Sequence, residues 1–137
     1  MTAFAAHQLQ QAVFALLAAD TGLKARVTGV YDEPLFGARP PYVAFGETQL
    51  RDTGVKGRDG VTVSFDVIVW SAEPSQMEAK ELMAQVDALL SGASPDVPGH
   101  ELVDIKLGSA SVITQFSEAG SLYRGRLNYS ARLFEAA

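Results

Sequence analysis

Arg124, Arg126 and Arg132 share one parity with Asn128 and Ser130 in the run Leu122 to Phe134, while Tyr123, Leu127, Tyr129, Ala131 and Leu133 hold the other. A period of two puts these sets on opposite faces of a strand. A face bearing three guanidinium groups cannot lie in an apolar core. It meets water, as the outer face of an antiparallel sheet commonly does, or acidic groups of another subunit. The planar fork of arginine pairs two-pronged with carboxylates and suits such a seam. Nucleic acid is the weakest of the three readings: sixteen acidic residues against eleven basic give a net charge of −5, where nucleic-acid binders carry a basic excess. Arg51, Lys56 and Arg58 form a second cationic group within the polar, glycine-rich stretch Arg51 to Gly60. That stretch reads as a long mobile hairpin connection able to order against a partner. Arg51, Lys56, Arg58, Arg124, Arg126 and Arg132 are therefore the candidate interface residues.

Catalytic arrangements are thin by comparison. His7 falls on the polar side of a helical pattern and His100 follows Pro98-Gly99, with no metal-ligand spacing around either. Both read as solvent-exposed. Asp52, Asp59 and Asp66 flank the glycine-rich stretch and could pair across a hairpin, but paired acid and base carboxylates need a pocket that drives their pKa values apart. Gly54, Gly57 and Gly60 resemble a phosphate-binding loop only in composition, because such loops open onto a helix and this one leads into a strand pattern. No serine sits in a nucleophile-elbow setting. Asn128-Tyr129-Ser130 matches a glycosylation sequon, which a cytoplasmic strand leaves without meaning. No catalytic residue, cofactor or metal site is expected.

The elements that must position these residues follow from spacing. Ala5, Leu9, Ala12, Val13, Leu16 and Leu17 recur every three or four residues, which makes one face of a helix from Phe4 to Ala19. Asp20-Thr21-Gly22 is read as its stop, with Gly22 in the left-handed position. Arg26 to Tyr31 is a short strand, and Asp32 to Arg39 is rich in turn formers. Pro40-Pro41 then leads into a strand from Tyr42 to Glu47. Val61, Val63, Phe65, Val67 and Val69 alternate with polar residues, and Ile68 and Trp70 imply that this strand is covered on both faces near its end. Ser75 and Glu78 fit a capping box ahead of the stripe Ala79, Leu82, Met83, Val86, Leu89 and Leu90, which Gly92 closes. Leu102 to Leu107, Ser111 to Phe116 and Leu122 to Phe134 read as three further strands. The sum is an α+β domain, a mainly antiparallel sheet with two helices packed on one face.

The 137 residues fit one domain, 1–137, and the 47% apolar content supplies a full core. There is no cysteine, which removes disulfides, thiolate metal sites and cysteine nucleophiles. The longest unbroken apolar run, Ala12 to Ala19, is well short of the roughly 20 residues that span a bilayer, and no cation precedes Lys24 as an export signal requires. A protein made and kept in the cytoplasm, without a membrane partner, is the expectation.

Taken in order, these pieces resemble a family of small tail-completion proteins of long-tailed bacteriophages and related gene transfer agents. The resemblance lies in the succession of Ala12 to Asp20, Val30-Tyr31, Pro40-Pro41-Tyr42-Val43, the glycine-rich stretch, Val63 to Ser71, Glu78-Ala79-Lys80, Ala88-Leu89-Leu90, Gly99 to Val103 and Arg124 to Tyr129. It implies a structural virion protein without catalysis, a tail terminator. Its copies form a homo-oligomeric ring, typically a hexamer, at the head-proximal end of the tail. The ring stops addition of tail-tube protein and gives the head-tail connector or adaptor protein a surface, and DNA passes its lumen without sequence-specific binding. Assembly in the bacterial cytoplasm into a phage-like particle follows. A different neck component, a head-closure or adaptor protein, is the nearest alternative, and a small ligand-binding or enzymatic α+β domain is the remaining one.

Overall fold

Residues 2–32, 39–72, 75–117 and 120–136 are described in a computed structural model. They form α1 (Thr2–Ala19), α2 (Thr21–Lys24), β1 (Val30–Tyr31), β2 (Tyr42–Asp52), β3 (Gly60–Ser71), α3 (Met77–Leu90), β4 (His100–Ser117) and β5 (Gly120–Glu135). The strands make one sheet in the order β1-β2-β3-β5-β4, in which only the short β1–β2 pair is parallel. The α+β architecture matches the sequence patterning, with a one-turn α2 added to the two helices expected.

The core forms where the helical stripes meet the apolar parity of the strands. Ala5, Leu9, Val13 and Leu17 of α1 and Leu82, Val86 and Leu90 of α3 are fully buried, against Val63, Val67 and Val69 of β3 and Tyr129, Ala131 and Leu133 of β5. Each large aliphatic side chain buried here stabilises the fold by about 1.5–3 kcal/mol. Phe65 and Tyr129, directly opposite in register, stack with ring centres 5.6 Å apart. The Tyr129 hydroxyl donates to Asp87 of α3 at 2.8 Å, tying helix to sheet through the core. Burial, and then the adjacent Asp87 carboxylate, push the Tyr129 phenol well above the usual tyrosine range. At Gly125 of β5 the Met83 side chain of α3 lies against the strand: a Cβ there would be 2.5 Å from the Met83 sulfur. Ala44 and Ile68, on the opposite face, are also buried, so this end of the sheet is covered on both sides as the sequence indicates.

Local details depart from the patterning in five places. The strand expected from Arg26 to Tyr31 is reduced to the two residues of β1, because the turn that follows α2 takes up Arg26 to Gly29. Asp20 accepts the Leu23 N–H at 2.8 Å and so begins α2, and Gly22 keeps a negative φ instead of ending α1 in the left-handed region. The expected capping box is rewired. Ser75 accepts the Met77 N–H at 3.3 Å, while Glu78 receives the Ser71 hydroxyl at 2.7 Å and joins the first turn of α3 to the end of β3. The two strands read between 102 and 116 are one, β4, whose pairing with β5 slips between Leu102 and Asp104 and again between Leu107 and Ser109. The slips are bulges, each absorbing one extra residue without ending the ladder. Finally, β2 runs on to Asp52, which shortens the glycine-rich connection. Its centre is an ordered turn in which Val55 and Arg58 exchange backbone hydrogen bonds at 3.0 Å, with Gly57 at φ +83°. Gly92, at φ +74°, does close α3 as expected. Of the turn-rich stretch Asp32 to Arg39, residues 33–38 lie outside the described residues, as does Pro74.

Candidate functional site

The arginine parity of β5 does face away from the helices, on the side of the sheet that carries no helix among the described residues. It is not a uniform cationic strip. Arg126 donates through Nε to Asp66 of β3 at 2.9 Å; the aspartate is 6% exposed, and its other oxygen accepts Asn128 at 2.9 Å. Asn128 also donates to Ser64 at 3.1 Å. With Glu47 and Gln49 of β2 these residues bound a shallow polar hollow of about 200 Å³. Asp66 was grouped by sequence with Asp52 and Asp59 around the connection. In the fold it sits in mid-strand, away from that turn, and its partner is a cation.

The other arginines of the row lie over aromatic rings. Arg124 stands 6.0 Å from the centre of Trp70, and Arg132 5.1 Å from that of Phe134. Such contacts hold a guanidinium at the surface while it remains charged. Trp70 in turn stacks on Tyr42 at 6.2 Å, and Tyr42 meets Tyr31 edge-on at 5.6 Å. The line Tyr31, Tyr42, Trp70 and Arg124 therefore crosses β1, β2, β3 and β5 on one face. Burial, and next the neighbouring Tyr31, raise the Tyr42 phenol above its usual range.

Of the second cationic group, Arg58 approaches this face. It lies 4.7 Å from the centre of Phe134 and pairs with Glu101 of β4 at 2.6 Å. Phe134 thus contacts two guanidinium groups, Arg58 and Arg132, and it covers Gly60, where a Cβ would be 2.8 Å from the ring. Arg51 and Lys56 are exposed and have no acidic partner among the described residues. The structure therefore brings Arg58 and Arg132 together at Phe134, holds Arg124 and Arg126 farther along β5, sets Arg51 on the same face level with Arg132 through Thr62, and leaves Lys56 in the turn.

Among the described residues His7 and His100 stand apart from one another. His7 is exposed on α1, and His100 is half-buried with Nδ1 3.1 Å from the Pro98 carbonyl oxygen. Among the described residues no three His, Asp or Glu side chains converge as a metal site. No described helix is long and apolar enough to cross a membrane.

A feature that the motifs did not reveal is the sheet edge. β4 is an outermost strand, and Val103, Leu107, Ile113 and Phe116 along it are 48%, 39%, 44% and 85% exposed. At the other side, β1 pairs only with Val43 and Ala44, so among the described residues β2 has no neighbour there from Gly46 to Asp52. The signal available in sequence was the uncharged run from Leu107 to Ser117.

The comparisons agree with this architecture. Residues 11–133 match the family model described as tail completion protein gp17. A solved structure, a chain of the virion of a native gene transfer agent particle, is similar at 30% identity. The match has a TM-score of 0.83 and covers 95% of this chain and 97% of that one. Among curated proteins none matches. The family match spans nearly the whole fold, both faces of the sheet included, and on it the chain belongs to the tail completion protein gp17 family.

Proposed function

We propose that the protein is a non-catalytic structural subunit of a phage-like tail. Its copies close into a ring, typically of six, at the head-proximal end, end polymerisation of the tail tube and present a surface to the head-tail connector or adaptor protein. The observation that carries this reading is end-to-end similarity to a gene transfer agent virion chain, together with the family match. A ring needs two different patches that meet with a closing rotation. The unlike edges β2 and β4 supply such a pair of patches, and the six cationic residues Arg51, Lys56, Arg58, Arg124, Arg126 and Arg132 supply further asymmetric contacts. The arginine row is also compatible with a DNA conduit. Arg126 is matched by Asp66, and the chain as a whole is acidic, so a lumen built from it would not grip phosphates tightly.

Native mass spectrometry and electron microscopy of the purified protein test the ring, and tail-tube subunits added to it test the capping. Closed rings, and tubes that stop growing once the protein is present, are the expected results. A compact monomer, or tubes that lengthen unchecked, would overturn the reading.

A further inference from the structure

The two edges of the sheet that are open among the described residues differ in how well they are guarded. Free strand edges are ordinarily protected by bulges, lysines, prolines or a covering segment, because their unpaired N–H and C=O groups recruit other chains. The first half of β4 has several of these devices. Its pairing slips at Val103, Asp104 and Lys106 are charged, and the Ile105 carbonyl takes the Gly92 N–H at 3.2 Å. From Ser109 to Phe116 there is no bulge, charge or proline, and Ile113 and Phe116 are exposed. A long, flat, uncharged edge of this kind is a template for another strand.

We infer that Ser109–Phe116 of β4 in one copy pairs antiparallel with Gly46–Asp52 of β2 in the next, so that the sheets of neighbouring copies become continuous. This deepens the ring reading and rests on it. Direction is fixed by the fold: β2, β3, β5 and β4 alternate, so in copies related by rotation β4 runs opposite to the following β2. The faces also agree. Toward the helices β4 offers Ala110, Val112, Thr114 and Phe116, and β2 offers Leu50, 43% exposed. Toward the arginine side β4 offers Ser109, Ser111, Ile113 and Gln115, and β2 offers Gln49 and Arg51. In a continuous sheet Leu50 then shares the helix side with Val112 and Phe116, while Gln49 shares the other side with Ser109, Ser111 and Gln115.

A second β4 is the competing occupant, but that pairing is self-complementary and closes at two copies, which leaves β2 open. The free segments also lie toward opposite ends of the sheet. Tyr42 of β2 is level, through Trp70 and Arg124, with Ile113, whereas Asp52 is level, through Val61 and Leu133, with Leu102. Joining them therefore staggers successive copies, and stagger with strand tilt is what closing a sheet requires.

Disulfide trapping tests the pairing cleanly, because the chain has no cysteine of its own. Within one copy β2 and β4 are separated by β3 and β5, about 14 Å at the usual strand spacing, too far for a disulfide. Any bridge between them must join two copies. Gln49→Cys is combined in turn with Ser109→Cys, Ser111→Cys and Gln115→Cys, and each variant is oxidised after its oligomeric state has been measured. The expected result is a reductant-sensitive ladder, from two copies up to the full ring, in at least one combination. Rings that form without any ladder in all three would overturn the edge pairing while the ring stands. Ser111→Cys alone trapping dimers would overturn it in favour of β4 on β4. A chain that remains monomeric at every concentration would remove the ring reading and this inference with it.

Discussion

Arg126 and Asp66, 60 residues apart in sequence, meet at 2.9 Å on the face of the sheet that carries no described helix. The register sets Asp66 opposite Asn128 and Ile68 opposite Arg126, so the ion pair is a diagonal across β3 and β5. The partners are unequally placed: the arginine side chain is 36% exposed and the aspartate side chain 8%.

That inequality predicts an asymmetric cost. Arg126→Ala leaves a buried carboxylate with only Asn128 as its donor and is expected to destabilise the fold by roughly 1–3 kcal/mol. Asp66→Asn leaves an arginine that can turn into water and should cost less than about 1 kcal/mol. Urea unfolding of both variants checks the order; equal midpoints would contradict the unequal burial.

Tyr129 makes a pH prediction. Its folded pKa is raised, by burial first and then by Asp87, so folding favours the neutral phenol. The stability this contributes is complete below the unfolded pKa of about 10 and is lost as pH rises above it toward the folded value. Tyr129→Phe keeps the stacked ring, forfeits about 1 kcal/mol at neutral pH, and flattens the alkaline fall above pH ~10. Thermal unfolding of the two proteins between pH 8 and 11, at about half-unit steps, reads the difference.

Gly125 packs against the Met83 side chain of α3, which must shift to admit any larger residue. Gly125→Ala puts a methyl 2.5 Å from the Met83 sulfur and is expected to cost about 1–3 kcal/mol by overpacking. Combining it with Met83→Ala removes the clash, so the double variant should be more stable than the sum of the two singles predicts. Simple additivity in a denaturation cycle would count against the close approach.

Phe116 separates folding from assembly. At 85% exposure its replacement by serine should leave monomer stability within about 0.5 kcal/mol. If β4 receives a neighbouring strand, the same Phe116→Ser change weakens the ring, seen as dissociation at concentrations where the parent protein stays assembled. Sedimentation velocity over a dilution series reports this directly.

Much of the fold was legible because it depends on local periodicity. The stripe from Ala5 to Leu17, the alternation from Val61 to Val69 and the parity of β5 each follow from one element's own spacing. What was missed depends on pairs distant in sequence. Nothing near Asp66 marks Arg126 as its partner, and Glu78 lies at the right interval from Ser75 yet binds Ser71. Leu102 to Leu107 and Ser111 to Phe116 read as two strands because a bulge keeps the ladder going where a period-two pattern loses phase. Period-two spacing puts Arg124, Arg126 and Arg132 on one face of β5, but the cation–aromatic contacts at Trp70 and Phe134 require the register of β3 against β5. Edge exposure is a property of strand order, which no single segment encodes.

β5 is hydrogen-bonded on both flanks for most of its length, to β3 from Tyr123 to Phe134 and to β4 from Gly120 to Glu135. Antiparallel bonds lie perpendicular to the strands. A pull along β5 consequently loads both ladders in shear, where many bonds resist together, and does not peel them apart one by one. The Tyr129–Asp87 bond carries part of that load sideways into α3. Mechanically the central strand is the tension member of this domain, and tugging on the β4–β5 hairpin strains the whole sheet before it can unzip.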